Sequence, residues 1–556
     1  MTDRSLSENN AFVDSDPLQA WAPSPRVATG LLTLLSIPVL LFGLDHYPVV
    51  NADEAFYHDV AWTMLETGDW WKVRTGPGEH VYDTFANAPL QYWARGVVIA
   101  GFGPGLFGMR ILSALAGVLT VLLTYRLTLR MAGRSAAFIA GLLLLSNYAF
   151  VYIHSGRTGE LETGVTLLLV GLAMSFTRAL YDDRAGFWGH HLMLVALLAW
   201  KAPVLPIPLL AEGAAFALLP AARARIGDWL RTGLWVFPLA LIWHGVQAWR
   251  MQAYLPKVVE AVGAQAGGAS VADGMADRFV WYLERAWFGC WPQIALLPGA
   301  LLALRQGFRD DRFCRADSIR VVGMLLVSVI IFYCAISKVG PWYWTHAYPF
   351  LALLLAVGMV ELVRQGAESI LAPMAFAMGL AFLPYIAPPL FSFDPFTESA
   401  IRLAMPLDLS GIGPLSPLAS ILLTALFLMG LTWAACQKSG AGPAWLTLGI
   451  GAVIFLSWLR VGGPLMDLRR LSPEHTLFVE LMERRDRGLE PVFPIEVEPV
   501  HPWIAHYYFG HDYQIKSAPT RPGDPGPPFQ RFRLVGPRSG VIPRSPVPAA
   551  QTPPVR

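Results

Sequence analysis

Two adjacent carboxylates, Asp53 and Glu54, follow an apolar run at residues 27–44. A run of this length crosses the ~30 Å hydrocarbon layer of a membrane. The acids therefore lie just beyond a first membrane helix, where charge is tolerated. There a carboxylate can act as a general base, ligate a metal ion or hydrogen-bond a sugar hydroxyl. The alternative is structural, because Asp53 stands where a helix N-cap would and Glu54 suits the helix dipole.

A second acidic site, Glu160 and Glu162, follows Arg157 in the sequence Arg-Thr-Gly-Glu-Leu-Glu. It lies between a predicted third and fourth membrane span. Acids at helix starts are common because they complement the helix dipole, so position alone favours a structural role. The predicted topology puts both acidic sites on the same membrane face, which favours a functional role.

Two lysines, Lys201 in Trp-Lys-Ala-Pro and Lys338 in Ser-Lys-Val-Gly-Pro, lie at predicted outer helix ends. A lysine at such a position can bind the phosphate of a lipid carrier. Its alternative role is to extend its charge to the membrane interface. Tryptophan and tyrosine are concentrated near the same face, where most would form an interfacial belt and a minority could stack on a sugar.

The composition is that of a membrane protein with several spans. Of the 556 residues, 54% are hydrophobic and 15% are charged, whereas soluble proteins have roughly 25% charged residues. Mean hydropathy is +0.45. A net charge of +2 does not indicate a nucleic-acid partner, and the four scattered cysteines suggest neither a zinc site nor a disulfide framework.

The apolar runs predict an all-α polytopic protein with about thirteen spans. These lie at residues 27–44, 107–128, 136–153, 161–180, 187–200, 204–219, 234–248, 294–304, 321–336, 343–363, 372–390, 418–435 and 446–458. Arginine and lysine in the loops after the even-numbered spans put those loops and the N-terminus in the cytoplasm. Both acidic sites and the C-terminal segment then face outward.

The domain organisation follows from these spans. Residues 1–26 are predicted to be a disordered cytoplasmic N-terminus, and residues 27–460 are predicted to be a membrane domain. Its first outer loop, 46–92, holds amphipathic surface helices, and a longer outer loop covers 250–290. Residues 461–516 predict a small extracytoplasmic α/β domain with strands near 492–497 and 503–509. Residues 517–556, rich in proline, predict a flexible tail.

Five stretches, taken in order, resemble one family of membrane enzymes. They are Asp53-Glu-Ala-Phe-Tyr57 with Gly68-Asp-Trp70, Pro89-Leu-Gln-Tyr92-Trp93, Arg157-Thr-Gly-Glu-Leu-Glu162, Trp200-Lys-Ala-Pro203, and Ser337-Lys-Val-Gly-Pro-Trp-Tyr-Trp-Thr-His-Ala-Tyr-Pro349. Each is weak alone, but the ordered set resembles the GT-C glycosyltransferases. More narrowly, it is similar to the bacterial aminoarabinose transferases of lipid A and the protein O-mannosyltransferases.

This resemblance implies an inverting transferase in the cytoplasmic membrane. A polyprenyl-phosphate sugar would be the donor, and the acceptor would be lipid A, another envelope glycolipid, a polysaccharide or a protein on the outer face. No cofactor is required for certain, although a divalent cation (Mg, Mn or Zn) could lie between Asp53 and Glu162. Asp53 is the expected base, Glu54 its alternative and Glu162 a second acid. The expected substrate-binding residues are Tyr57, Asn87, Tyr92, Arg157, Glu160, Lys201, Lys338, Tyr343 and His346.

The chain departs from the family pattern at two basic positions. The lysine that precedes Pro-Pro in the family is Asn87 here, and an arginine after the first acid is Phe56. Either other cations compensate, or the donor differs, or activity is reduced. The compensating cations would be Lys72, Arg74, Lys201 and Lys338.

Two other classes of protein remain as alternatives. A transporter or flippase for lipid-linked sugars usually places ionisable groups near the middle of the membrane. The predicted spans are poor in such groups, and the acids lie at the outer edge, which favours an enzyme. A non-catalytic relative that binds lipid is the third reading, because Phe56 and Asn87 replace phosphate-binding residues.

Overall fold

The computed structural model describes residues 22–45, 49, 52–74, 89–182, 186–250, 254–266 and 274–365, the last with gaps at 291–292, 311–312, 314, 337–338 and 341. Scattered positions between 457 and 487 and three strands follow. The α-helices are Pro25–Ser36 (α1), Ala52–Thr67 (α2), Leu90–Phe102 (α3), Leu106–Leu145 (α4), Tyr148–Tyr152 (α5), Glu162–Tyr181 (α6), Trp188–Lys201 (α7), Pro206–Leu218 (α8), Pro220–Arg223 (α9), Ile226–Val236 (α10), Pro238–Arg250 (α11), Tyr254–Ala266 (α12), Met275–Cys290 (α13), Leu297–Arg309 (α14), Ala316–Ala335 (α15) and Tyr348–Gln365 (α16). A π turn, Ile37–Leu41, extends α1, and 3₁₀ turns lie at Ala202–Val204, Gln293–Leu296 and Tyr343–Ala347.

The described residues contain four helices that are long and apolar enough to cross a membrane. They are Leu106–Leu145, Glu162–Tyr181, Ala316–Ala335 and Tyr343–Arg364. The helix pair Trp188–Val204 and Pro206–Leu218, bent by 114°, makes a fifth if it is one span. The count of thirteen stays a prediction, since the predicted spans at 372–390 and 418–435 lie outside the described residues.

Helix α4 covers two of the predicted spans. Its 40 residues turn sharply at Gly133, which has a φ of 86°. Glycine adopts this left-handed conformation without the penalty that a Cβ atom imposes. The predicted span at 107–128 lies in the first arm of this broken helix, and the predicted span at 136–153 begins in the second arm and continues into α5. The predicted first span is a shorter apolar helix, Pro25–Leu41.

Helix α2 forms where the sequence predicts an amphipathic helix, but its polar side is not directed to solvent. Glu54, His58 and Asp59 are buried, and α2 packs against α3 through a cluster that contains Trp62 and Tyr92. Burying charged groups is costly unless partners surround them. Helix α2 is therefore packed into the protein along the side that carries these groups.

Three strands form an antiparallel sheet near the C-terminus. They are Ile495–Val500 (β1), Tyr513–Ser517 (β2) and Gln530–Pro537 (β3), in the order β1-β3-β2. Strand β1 overlaps a predicted strand, while the predicted strand at 503–509 lies outside the described residues. Strand β3 corrects the prediction of a flexible tail from residue 517. Its side chains alternate between arginine and apolar residues, with Leu534 buried, and this period of two is typical of a strand.

Candidate active site

Glu54 is the buried anchor of the first acidic site. Its carboxylate accepts hydrogen bonds from Arg110 Nε at 2.6 Å and Nη2 at 3.1 Å. It also accepts from the backbone N–H of Gly159 at 2.7 Å. Arg110 donates from Nη1 to the carbonyl of Leu44 at 2.8 Å. Glu54 therefore joins α2 to α4 and to the loop that carries Glu160 and Glu162. These contacts give the Glu54 carboxylate a structural role.

Asp53 precedes Glu54 on α2 but is exposed. Its carboxylate lies in a cluster with His154 and Glu160, in which one donor atom from each residue is within 4.8 Å of the others. The neighbouring acids of the Asp-Glu pair thus have different surroundings: one is enclosed by an arginine, and the other faces the site.

His154 was not predicted as a site residue. It has a φ of 47°, a left-handed conformation that is uncommon for residues other than glycine and is often found at functional sites. Its ring stacks on Trp342, with centroids 3.9 Å apart. Burial lowers the His154 pKa to about 4, so the ring is neutral at pH 7. No sequence motif marks this histidine, because its position depends on how the loop folds onto the aromatic turn at 342–347.

Glu160 is buried in the same cluster. Its Oε1 lies 3.4 Å from His154 Nδ1, yet neither carboxylate oxygen has a hydrogen-bond partner among the described residues. Burial, followed by the charges of Asp53, Glu162 and Glu54, raises the Glu160 pKa well above its usual value. The loop is fixed by Ser113, whose hydroxyl donates to the Glu160 carbonyl at 2.9 Å.

Tyr57 on α2 lies near these acids and next to Tyr92 on α3, with ring centroids 6.4 Å apart. Loss of hydration, followed by the nearby charge of Asp53, raises the Tyr57 pKa well above its usual value. Arg95, one turn after Tyr92, was not predicted. It is fully buried, donates to the Met109 carbonyl at 2.6 Å, and has a pKa lowered by burial and partly restored by Glu160. Arg95 adds a positive charge near Glu160.

Glu162 and Lys201 form an ion pair on the other side of the cluster. Lys201 Nζ lies 2.6 Å from Glu162 Oε1 and 5.5 Å from the centroid of the Tyr343 ring. Glu162 begins α6 and Lys201 ends α7, so the pair joins two helix ends. The sequence predicted these three residues at one site, and the structure brings them together.

His346 lies next to this ion pair. Thr166 donates its hydroxyl hydrogen to the Glu162 carbonyl at 2.7 Å, so its oxygen accepts from His346 Nδ1 at 3.0 Å. Tyr343 stacks on Tyr333 with centroids 4.7 Å apart. His346 and Tyr343 therefore support the Glu162 and Lys201 ends of their helices.

Arg157 contacts the end of the first helix and has a structural role there. Its guanidinium donates to the carbonyls of Val39 at 2.9 Å, Phe42 at 2.7 Å and Gly43 at 3.3 Å, at the end of the first helix. These contacts do not support the predicted binding of substrate. The predicted residues Asn87 and Lys338 lie outside the described residues, so the structure says nothing of them.

The donor set of Asp53, His154 and Glu160 suits a divalent cation. Two carboxylates and a neutral imidazole are ligands for zinc or manganese. The Glu160 carboxylate oxygens have no hydrogen-bond partner among the described residues, so they are available as ligands. The sequence had paired Asp53 with Glu162 for this purpose. In the structure, Glu162 instead forms an ion pair with Lys201, and Glu160 lies beside Asp53.

Comparison with known proteins identifies relatives in sequence and in fold. The family described as dolichyl-phosphate-mannose-protein mannosyltransferase matches residues 86–243. An undecaprenyl phosphate-alpha-4-amino-4-deoxy-L-arabinose arabinosyl transferase from Aeromonas salmonicida is 27% identical over 373 residues, or 63% of each chain. A second one, from Pseudomonas fluorescens, is 33% identical over 199 residues, or 34% of this chain and 32% of its own. The aligned region thus spans less than two thirds of these relatives.

The fold has a solved counterpart. The crystal structure of ArnT from Cupriavidus metallidurans bound to undecaprenyl phosphate superimposes with a TM-score of 0.60 at 17% identity, covering 86% of this chain and 84% of ArnT. Its apo structure gives a TM-score of 0.56. The five ordered stretches, the sequence relatives and the superposition all agree. The chain is therefore a multi-pass membrane protein with the GT-C fold of ArnT, and it resembles the aminoarabinose transferase and protein mannosyltransferase group.

Proposed function

We propose that the protein is an inverting glycosyltransferase that moves a sugar from a polyprenyl-phosphate donor to an acceptor at the outer face of the cytoplasmic membrane. One observation carries the proposal. An exposed carboxylate, Asp53, stands beside a cluster of buried acids, and a lysine under an aromatic ring, Lys201, stands next to the same cluster. This gives a base and a phosphate-binding cation, the two charges that transfer from a phosphate requires.

Asp53 is the proposed base because the neighbouring acids are engaged otherwise. Glu54 is enclosed by Arg110 and the Gly159 N–H, and Glu160 is buried with a pKa raised well above its usual value, which favours its protonated form. A base must reach the substrate and be ionised. Asp53 removes the proton of an acceptor hydroxyl. If the acceptor is itself a phosphate, as on a glycolipid, no base is needed and Asp53 positions the acceptor.

Lys201 is the proposed partner of the donor phosphate. Its ammonium has three N–H groups, of which one points to Glu162, and Tyr343 covers its other side. This lysine compensates for the absence of a basic group at Asn87 and Phe56, together with Lys338, Lys72 and Arg74. Negative charge builds up on the leaving phosphate in the transition state, and an ammonium stabilises it.

A divalent cation is not required by this scheme, but the residues to hold one are present. Asp53, His154 and Glu160 would bind it, with Glu162 excluded by Lys201. Such an ion would supply positive charge to oxygen atoms of the substrate.

The predicted orientation completes the proposal. The N-terminus lies in the cytoplasm, and the acids, Lys201 and the C-terminal sheet lie on the extracytoplasmic side, as the arginine-bearing loops indicate. The lipid-linked donor then reaches the site sideways from the outer leaflet. The acceptor is an envelope glycolipid such as lipid A, a polysaccharide or a protein.

The experiment supplies a labelled polyprenyl-phosphate sugar to the purified protein with envelope lipid or protein acceptors. Asp53→Asn should lower transfer by a factor of about 10²–10⁴ for a hydroxyl acceptor, the range that general bases contribute. Asp69→Asn is the matched control, because Asp69 is an outer aspartate 3.7 Å from Arg250 and outside the cluster. Transfer that is equal in Asp53→Asn and Asp69→Asn would remove Asp53 from the site.

One observation favours the transporter reading, although the spans are predicted to be poor in ionisable groups near their centres. His190 Nε2 lies 3.0 Å from Glu212 Oε1, in the middle of α8, and Trp229 donates to Glu212 Oε2 at 2.9 Å. Ionisable groups within the membrane often mark a transport path. Flipping of a fluorescent polyprenyl-phosphate lipid in proteoliposomes, lost in Glu212→Gln but kept in Asp53→Asn, would support a transporter.

A further inference from the structure

The ion pair of Glu162 and Lys201 is formed without any ligand. Its atoms are 2.6 Å apart, and the two side chains are only 4% and 12% exposed. The second carboxylate oxygen of Glu162 has no hydrogen-bond partner among the described residues. The charge of the proposed phosphate-binding lysine is therefore already balanced before a phosphate arrives.

The pair is built into the packing of two helices. Trp200, next to Lys201, donates from Nε1 to the carbonyl of Leu161 at 3.1 Å. Gly164 lies under the Trp200 ring so closely that a Cβ atom would clash with it. The Thr166 hydroxyl donates to the Glu162 carbonyl. These contacts hold the start of α6 against the end of α7 and so place the Glu162 carboxylate beside Lys201.

The charge of the phosphate changes during the proposed reaction. The donor is a phosphodiester with one negative charge. Transfer breaks the bond between the anomeric carbon and the phosphate oxygen and forms a bond from that carbon to the acceptor oxygen, whose proton passes to the base. The electron pair of the broken bond stays on the phosphate. The product is a monoester whose second pKa is ~6, so it carries close to two charges at pH 7.

A monoester attracts an ammonium more strongly than a diester does, because the Coulomb energy grows with charge. A lysine without a counter-charge would therefore retain the spent carrier lipid. We propose that Glu162 competes with the phosphate for Lys201 and weakens binding of the product more than binding of the donor. Glu162 thus acts as a product-release residue. This inference rests on the proposed function for the identity of the lipid.

The test measures binding to the purified full-length protein in nanodiscs. Undecaprenyl phosphate is the probe, and undecaprenol, which lacks the phosphate, is the comparison. Glu162→Gln keeps the shape of the side chain and removes its charge. We expect this variant to bind undecaprenyl phosphate about tenfold more tightly than wild type, a change equal to roughly 1.4 kcal/mol, and to bind undecaprenol as wild type does. Affinity for the phosphate that is unchanged or weaker overturns the inference.

Three further variants sharpen the result. Glu162→Asp keeps the charge at shorter reach and should fall between wild type and Glu162→Gln. Glu361→Gln removes another buried carboxylate, paired with Arg364 at 3.0 Å on α16, and should not change lipid affinity. In a Lys201→Gln background, Glu162→Gln should give no tightening, since a pairwise effect vanishes when one partner is gone. Tightening that persists without the lysine contradicts the mechanism.

The binding measurement separates this inference from the proposed activity. If Glu162→Gln tightens undecaprenyl phosphate binding and wild type transfers no sugar from any donor, the competition between Glu162 and phosphate for Lys201 stands as a property of a lipid-phosphate site and the transferase proposal fails. If wild type transfers sugar and Glu162→Gln binds the product no more tightly, the transferase proposal stands and the release role is wrong.

Discussion

Arg110 and Glu54 form a bidentate ion pair, with nitrogen–oxygen distances of 2.6 and 3.1 Å, in a place where both side chains are buried. The same arginine holds the Leu44 carbonyl, and the same glutamate holds the Gly159 N–H. Four segments therefore meet at one pair of charges. Asp53 owes its position to this junction, since it directly precedes Glu54 in the chain.

Glu54→Gln should destabilise the protein by about 3 kcal/mol, because Arg110 is left buried without its carboxylate. Thermal unfolding in detergent, followed by the loss of soluble protein, measures the change. Arg110→Met alone should be similarly harmful. The double variant Glu54→Gln with Arg110→Met should be less harmful than the sum of the two, because no charge is then stranded. Strictly additive losses contradict the pairing.

Gly164→Ala should push α7 away from α6, because the new Cβ atom would overlap the Trp200 ring. We expect a loss of about 1–3 kcal/mol in stability, as for other overpacked sites. Transfer activity should fall as well, since Lys201 and Glu162 would separate. The matched control is Gly213→Ala on α8, where nothing lies within 4 Å of the new atom. That control should be neutral or slightly stabilising. Equal effects at both glycines would rule out the proposed close approach.

Arg157→Met should lower stability without changing the affinity for donor lipid. The arginine donates to three carbonyls at the end of the first helix, and leaving buried carbonyls without a donor costs about 2 kcal/mol in total. The measurement pairs thermal unfolding with undecaprenyl phosphate binding at a temperature where the variant is folded. Weaker lipid binding by the folded variant would return Arg157 to the substrate-binding residues, as the sequence predicted.

The His154 pKa predicts a pH dependence of stability. Its folded value of about 4 lies below its usual value of 6.5, so the unfolded chain binds the proton more readily. The stabilising contribution is complete above about pH 6.5 and is lost as the pH falls through 4. The loss should be no more than roughly 3 kcal/mol. Thermal unfolding between pH 4 and 8, with a chelator present, measures it. His154→Asn tolerates the left-handed backbone and should have a flatter profile.

The sequence predicted the parts of the site that depend on local pattern. Asp53, Glu162, Lys201 and Tyr343 belong to ordered motifs, and the structure brings all four to one region. What the sequence left undecided was the assignment of partners. Whether a carboxylate is paired with an arginine or is exposed depends on contacts between residues far apart in the chain, such as Glu54 with Arg110. Such contacts cannot be predicted from the spacing of neighbouring residues.

The residues that the sequence did not predict share one property. His154 and Arg95 are single polar side chains without a motif, and the fold makes them important by burying them beside acids. The helical periodicity predicted α2, because a period of 3.6 is a strong signal, whereas α3 begins at Leu90 in the predicted first outer loop and continues beyond it to Phe102. The periodicity did not predict the surroundings of α2, because Glu54 is covered by Arg110 from α4 and His58 lies 2.9 Å from the Pro104 carbonyl, which are contacts between residues far apart in the chain. Strand β3 was not predicted, because the sequence around it is rich in proline.

The long-range contacts of Arg157 have a consequence for how the chain folds during its synthesis. It holds carbonyls of Val39 and Phe42, which precede it by 118 and 115 residues. Lys201, which balances Glu162, follows 39 residues after that acid. A nascent chain therefore inserts its first helix long before the residues that fix its outer end have been synthesised. The partner of Glu162 is present only after α7 has been synthesised, so an unfinished chain lacks the Glu162–Lys201 ion pair of the site.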